Sequence, residues 1–178
     1  MIRAPLATYY ALSAKHRTEH GCGGHPYENG QELTQLAEQQ KAKEILELGT
    51  AVGFSAYCFA QSMYEPHIDT LDNDTLHVQI ARELLQANGI GDRVSVIEGN
   101  FVDALSTLDK AYDLIFFDGF EPDISLIQRL DVLAKNDAVI VTANLSWSST
   151  AQEYLDTLEG LGWEHEKRRD IAISRRRK

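Results

Sequence analysis

The run Leu114-Ile-Phe-Phe117 is apolar at every position. A strand with water on one face would alternate, so this one is expected to be buried on both faces, with helices packed above and below. Ala138-Val-Ile-Val141 repeats the pattern. Between and before these runs, strand-like and helix-like segments alternate from residue 31 onward. Leu33, Leu36 and Ala37 give a helical stripe over 31–43, and strand 44–48 follows. The succession continues with a helix near 53–63, a strand His67–Asp72, a helix near 75–88 and a strand Arg93–Ile97. A short helix over 101–108 precedes the Leu114–Phe117 strand. Pro122 suits the first turn of a helix carried by Ile124, Ile127, Leu130 and Leu133. Ser149-Thr-Ala-Gln152 resembles a capping box that opens a helix ending at Gly160 and Gly162. Trp163–Glu166 and Ile171–Ser174 are strands joined by too few residues for a crossover, so they must run antiparallel. The expected fold is α/β: a mostly parallel sheet closed by one hairpin.

At 178 residues, with 43% hydrophobic and 25% charged side chains, the chain suffices for one domain. The core is expected over 31–178, with residues 1–30 as an irregular segment or lid. No apolar run reaches membrane length, and the first residues lack the apolar stretch of a signal peptide. Cys22 and Cys58 give no disulfide framework. A cytoplasmic protein is the expectation. The net charge of −10 is unevenly spread. Residues 167–178 hold seven Lys and Arg against the single acid Asp170, which reads as a solvated basic tail. The acidic remainder repels phosphate backbones, so nucleic acid is not an expected partner, and the lack of a membrane-length run makes a membrane equally unexpected.

In open α/β sheets ligands bind beyond the carboxyl ends of the strands. Those ends are polar or glycine-rich here. The first delivers Glu47-Leu-Gly-Thr-Ala-Val-Gly-Phe-Ser55, a strand–turn–helix in which Gly49 permits a sharp turn and Gly53 a close approach. The second ends in Asp72-Asn-Asp74, the third in Glu98-Gly-Asn-Phe101, the fourth in Asp118-Gly119 and the fifth in Thr142-Ala-Asn144. Asp72 lies 23 positions after Gly49, near the roughly 20 expected of a carboxylate that grips ribose hydroxyls.

These pieces resemble the S-adenosylmethionine-dependent O-methyltransferases of the catechol and caffeoyl-coenzyme A type. The similarity is carried by Glu28-Asn-Gly-Gln31, Glu47–Ser55, Thr70-Leu-Asp72, Glu98-Gly-Asn-Phe101, Tyr112–Asp118 and Asp170–Arg175. It implies a Rossmann-like class I methyltransferase fold, with seven strands and helices on both faces. It also implies cofactor contacts from Glu47, Gly49, Thr50, Gly53 and Ser55 to the methionine part. Asp72 and Asn73 would serve the ribose, Asn100 and Phe101 the adenine, with Asp118 near the methyl end. The family's metal site uses an Asp after the fourth strand and an Asp-Asn pair after the fifth. Asp118 and Asn144 match, but Ala143 replaces the second Asp, and Glu121 stands where the family has a Lys base. A catechol-type Mg²⁺ is therefore not expected. Asp118, Glu121 and Asn144 are the candidate catalytic residues, acting on a small-molecule acceptor, with a homodimer compatible.

Two rival readings differ in class. A non-catalytic S-adenosylmethionine-binding protein would keep the cofactor motifs while losing catalytic residues. A nicotinamide-dependent reductase is opposed by the G-x-x-x-G turn and the closing hairpin. His16, His20, Cys22 and His25 are zinc-ligand types within ten residues, but their spacing fits no zinc signature. By the resemblance, this segment covers the active site and lines an acceptor pocket.

Overall fold

The computed structural model describes residues 6–119, 124–146, 148–168 and 170–177. Seven strands form one sheet in the order β3-β2-β1-β4-β5-β7-β6. They are β1 (Glu44–Leu48), β2 (His67–Asp72), β3 (Val94–Glu98), β4 (Tyr112–Phe117), β5 (Ala134–Thr142), β6 (Trp163–Arg168) and β7 (Ile171–Arg176). The first five are mutually parallel, and β7 lies antiparallel between β5 and β6. The expected hairpin is present, with its second strand inserted next to β5.

Seven α-helices are described: α1 (Leu6–His20), α2 (Gly30–Gln40), α3 (Phe54–Phe59), α4 (Thr75–Ala87), α5 (Phe101–Ser106), α6 (Ile124–Leu133) and α7 (Ala151–Gly160). The pleat divides the apolar runs between two cores. Ile45, Leu114, Phe116, Val139 and Val141 point to the side of α2, α3 and α4. Leu46, Leu48, Ile115, Phe117 and Ile140 point to the side of α5, α6 and α7. Continuous hydrophobicity in β4 and β5 thus reflects helices on both faces, as inferred. Chain order runs β1, β2, β3 in one direction and then jumps back to β4 beside β1. The switch point therefore lies between the carboxyl ends of β1 and β4.

Four expectations need correction. Residues 6–20, for which no element was assigned, form α1, and Tyr9 on it is fully buried. Ile124 does not face the core: it is 50% exposed, while Leu126, Ile127, Leu130 and Leu133 turn inward. Thr150, not Ser149, stands at the N-cap position of α7 without a side-chain capping bond, and its backbone N–H is met by the Ser148 hydroxyl. The basic terminus is not simply a solvated tail. Arg176 ends β7, lies 4.6 Å over the Trp163 ring and pairs with Asp131 at 2.8 Å. Arg177 pairs with Glu159 at 2.8 Å.

Candidate active site

The site is built around the turn from β1 to α3. Gly49 (φ 105°) and Gly53 (φ 85°) both occupy the left-handed region. A Cβ on Gly49 would come within 3.1 Å of the Asp118 carbonyl, so the β1 and β4 ends approach as only glycine allows. At Gly53 a Cβ would press on Leu85 and on the Tyr9 hydroxyl, each at 3.2 Å. That hydroxyl donates to the Val52 carbonyl at 2.8 Å, so α1 is clasped onto the turn.

Ala51 also adopts a positive φ of 43°, uncommon for a residue with a side chain. Asp72 holds it there: Oδ2 accepts from the Ala51 N–H at 2.7 Å. The other oxygen, Oδ1, accepts from the Asp74 N–H at 2.9 Å and faces His77 Nδ1 at 3.4 Å. Asp74 caps α4 through the Leu76 and His77 N–H groups and pairs with His20 at 3.0 Å. That bond to His20 lowers the Asp74 pKa to about 2. His77 is pushed up to about 9, chiefly by its bond to Asp72.

Glu47 lies fully buried behind the turn. Thr70 donates its hydroxyl proton to Glu47 Oε2 at 2.5 Å. The Thr50 hydroxyl lies 2.6 Å from that of Thr70 and must be the donor there, because Thr70 has only one proton. Among the described residues Glu47 Oε1 has no hydrogen-bond partner. Burial raises the Glu47 pKa to about 7, against the opposing pull of the Ser55 and Thr70 hydroxyls. Asp118 is likewise raised well above its ordinary value, first by desolvation and then by the Glu47 charge. Asn144, in the left-handed region at φ 60°, donates from Nδ2 to Asp118 Oδ1 at 2.8 Å and to its carbonyl at 3.2 Å.

The structure gathers Glu47, Gly49, Thr50, Gly53, Ser55, Asp72 and Asp118 at the switch point, with Asn144 adjoining. Asn73 faces solvent. Asn100 caps α5 through the Asp103 N–H at 2.9 Å, and the Phe101 ring packs 6.2 Å from that of Phe117. Glu121 lies outside the described residues. Two participants escaped sequence reasoning: Ala51, through its backbone N–H, and His77. Nothing in the sequence marks either as close to Asp72. The remaining space is narrow. A cavity of about 20 Å³ is bounded by Ser13, His16, Tyr27, Gly49, Ser55 and Asp118, among others. It has room for about one water.

A family model described as O-methyltransferase matches residues 14–160, and the chain belongs to that family. The catechol O-methyltransferase of Mycobacterium tuberculosis is 36% identical over 121 residues, which cover 66% of this chain and 55% of that protein. The SAH-bound methyltransferase PaMTH1 of Podospora anserina superposes with a TM-score of 0.84 at 21% identity, over 99% of this chain and 89% of that one. Cofactor-bound Rv0187 from MTB gives 0.76 at 25% identity, over 98% and 91%. These neighbours share the class I methyltransferase fold. The chain spans 52–62% of the length of the first curated relatives it matches.

Proposed function

We propose that the protein transfers a methyl group from S-adenosylmethionine to an oxygen of a small-molecule acceptor. The observation that carries the reading is the unpartnered Oε1 of buried Glu47 beside the Gly49–Gly53 turn. A desolvated carboxylate with a free oxygen is costly unless a cationic donor completes it. The ammonium of a methionine moiety is such a donor. Gly49 keeps the approach open, and Asp72 retains lone pairs for ribose hydroxyls. The donor set therefore fits the cofactor, although the cavity of about 20 Å³ does not yet admit it. Pockets for such ligands measure roughly 300 Å³ or more. Entry requires residues 24–27 to move off the turn.

When bound, S-adenosylmethionine supplies an activated methyl group on a sulfonium. Asp118 would take the proton that the acceptor hydroxyl loses as its oxygen bonds the methyl carbon and the carbon–sulfur bond breaks to leave a neutral thioether. Its elevated pKa makes Asp118 a stronger base than an exposed aspartate, and Asn144 fixes the orientation of its carboxylate. Glu121 remains a second candidate base. A catechol-type Mg²⁺ does not fit these residues. Ala143 offers no side-chain ligand, and the Asn144 amide turns an N–H, not an oxygen, toward Asp118.

The test is calorimetric titration with S-adenosylhomocysteine, followed by turnover of labelled S-adenosylmethionine on a panel of phenols and carboxylic acids. Binding in wild type, its loss in Glu47→Ala, and labelled methyl product abolished by Asp118→Asn are expected. Lack of binding to either adenosyl ligand would overturn the cofactor reading. Binding without turnover would leave the non-catalytic binder in its place.

A further inference from the structure

Sequence spacing left His16, His20, Cys22 and His25 scattered, but the fold collects three of them around a residue from another element. Helix α1 places His16 and His20 one turn apart on a single face. The chain turns at Gly21 (φ 69°) and brings Cys22 back beneath them. The first turn of α4 presents His77. Ring centroids stand 5.0 Å apart for His16–His20, 5.2 Å for His16–His77 and 5.4 Å for His20–His77. The ligating atoms of His16, Cys22 and His77 all lie within 4.8 Å of one another. So do those of His20, Asp74 and His77.

Two details point to a ligand rather than to packing. The Nε2 atoms of His16 and His77 are buried and have no hydrogen-bond partner among the described residues. His77 is only 7% exposed and, besides Asp72, engages the Cys22 thiol of the same cluster, a weak partner that leaves a real desolvation cost at the buried Nε2. Its other nitrogen, Nδ1, faces Asp72 Oδ1 at 3.4 Å. A carboxylate behind one ring nitrogen is the usual outer support of a metal-ligating histidine, because it orients the ring while the ion displaces the proton on the second nitrogen.

We propose that His16, His20, Cys22 and His77 bind one Zn²⁺-class ion. Three imidazoles and a thiolate form a tetrahedral nitrogen–sulfur set, which selects zinc, cobalt or nickel over oxygen-seeking magnesium or calcium. Ligand atoms around tetrahedral zinc sit roughly 3.5 Å apart, given metal–ligand distances near 2.1 Å. Within each triplet the ligand atoms, at up to 4.8 Å, have about 1 Å to contract, and His20 exchanges Asp74 for the ion. Cys22 loses its proton on binding. The ion joins α1 to α4 and anchors the chain at Cys22, just before residues 24–27, which stay free to move over the Gly49–Gly53 turn. The proposal does not depend on the methyl-transfer reading, since that reading assigns no cofactor or acceptor contact to any of the four ligands.

The experiment is a titration of the chelator-stripped, reduced protein with Co²⁺, read by absorbance, and with Zn²⁺ against a chromophoric chelator. A 1:1 complex is expected, with a thiolate-to-cobalt charge-transfer band that disappears in Cys22→Ser. Loss of an outer-shell partner costs about 10- to 100-fold in affinity. Removing a ligand, in Cys22→Ser or His77→Gln, should therefore weaken Zn²⁺ by at least about 100-fold, while His67→Gln leaves it unchanged. Zn²⁺ should also slow alkylation of Cys22 in the wild-type chain, a readout that needs no variant to fold. Absence of a 1:1 complex, absence of the thiolate band, or Cys22 alkylation indifferent to Zn²⁺ would each overturn the proposal.

Discussion

Replacing Glu47 by Gln should strengthen the fold and weaken the ligand site together. Folding raises the pKa of this carboxyl from 4.5 to about 7. The native state then holds a proton that the unfolded chain releases as pH rises between those values. Native stability is correspondingly present below pH 4.5 and lost as pH climbs toward 7. At about 1.4 kcal/mol per pH unit, the penalty reaches ~3 kcal/mol above pH 7. Gln carries no such penalty, although its amide leaves a donor where Oε1 was, at about 1–3 kcal/mol independent of pH. Removing the Glu47 charge also relieves Asp118, which that charge pushes up. Urea unfolding of both proteins from pH 5 to 8.5 isolates the effect. The stability difference, variant minus wild type, should grow with pH by ~3 kcal/mol and level off above 7. In the same variant, affinity for S-adenosylhomocysteine should fall at least about tenfold, the cost of losing a charge-assisted hydrogen bond. A difference that stays flat across this range would show that Glu47 is not a strained buried acid.

Gly53→Ala should lower stability by about 1–2 kcal/mol from the left-handed backbone alone, and the melting temperature should report it. Contacts at 3.2 Å with Leu85 and Tyr9 add to that cost. Tyr9→Phe removes the donor to the buried Val52 carbonyl, and denaturant unfolding should detect a loss of about 1–3 kcal/mol. Asp72→Asn should free the Ala51 N–H from its charged acceptor, and calorimetry should show weaker S-adenosylhomocysteine binding.

The strands were legible because both of their faces are buried. An apolar run such as Leu114–Phe117 has no competing explanation once helices flank it on either side. Helix α1 was illegible for the converse reason. It buries only Tyr9 and Ser13 and carries no apolar stripe, so periodicity had nothing to register. The misplacement of Ile124 has a similar origin. A spacing of three is satisfied equally by 124, 127 and 130 or by 127, 130 and 133, and the 3.6-residue period turns Ile124 outward while Leu126 joins the inward face. At the site, the sequence located the strand ends but not what their side chains grip. Asp72 was expected to face a ribose. It also holds the Ala51 N–H and faces His77, partners 21 and 5 positions away in the chain. Only the folded path of the glycine turn and α4 brings them together.

The closed cavity makes a prediction whose sign is unusual. A ligand that requires an open form is bound more weakly by the factor to which that form is populated. Gly24 packs where a Cβ would stand 3.2 Å from that of Ala51, on the surface that must separate. Gly24→Ala therefore crowds the closed form at the Ala51 side chain and leaves the turn's glycines unchanged. A penalty of about 1 kcal/mol on closure would raise the open population roughly fivefold while that population is small. Calorimetry should then find S-adenosylhomocysteine bound about fivefold tighter, while the ligand-free protein melts at a lower temperature. A variant merely damaged at the site would lose affinity along with stability. Equal or weaker binding in Gly24→Ala would mean that residues 24–27 do not have to leave the turn for the ligand to enter.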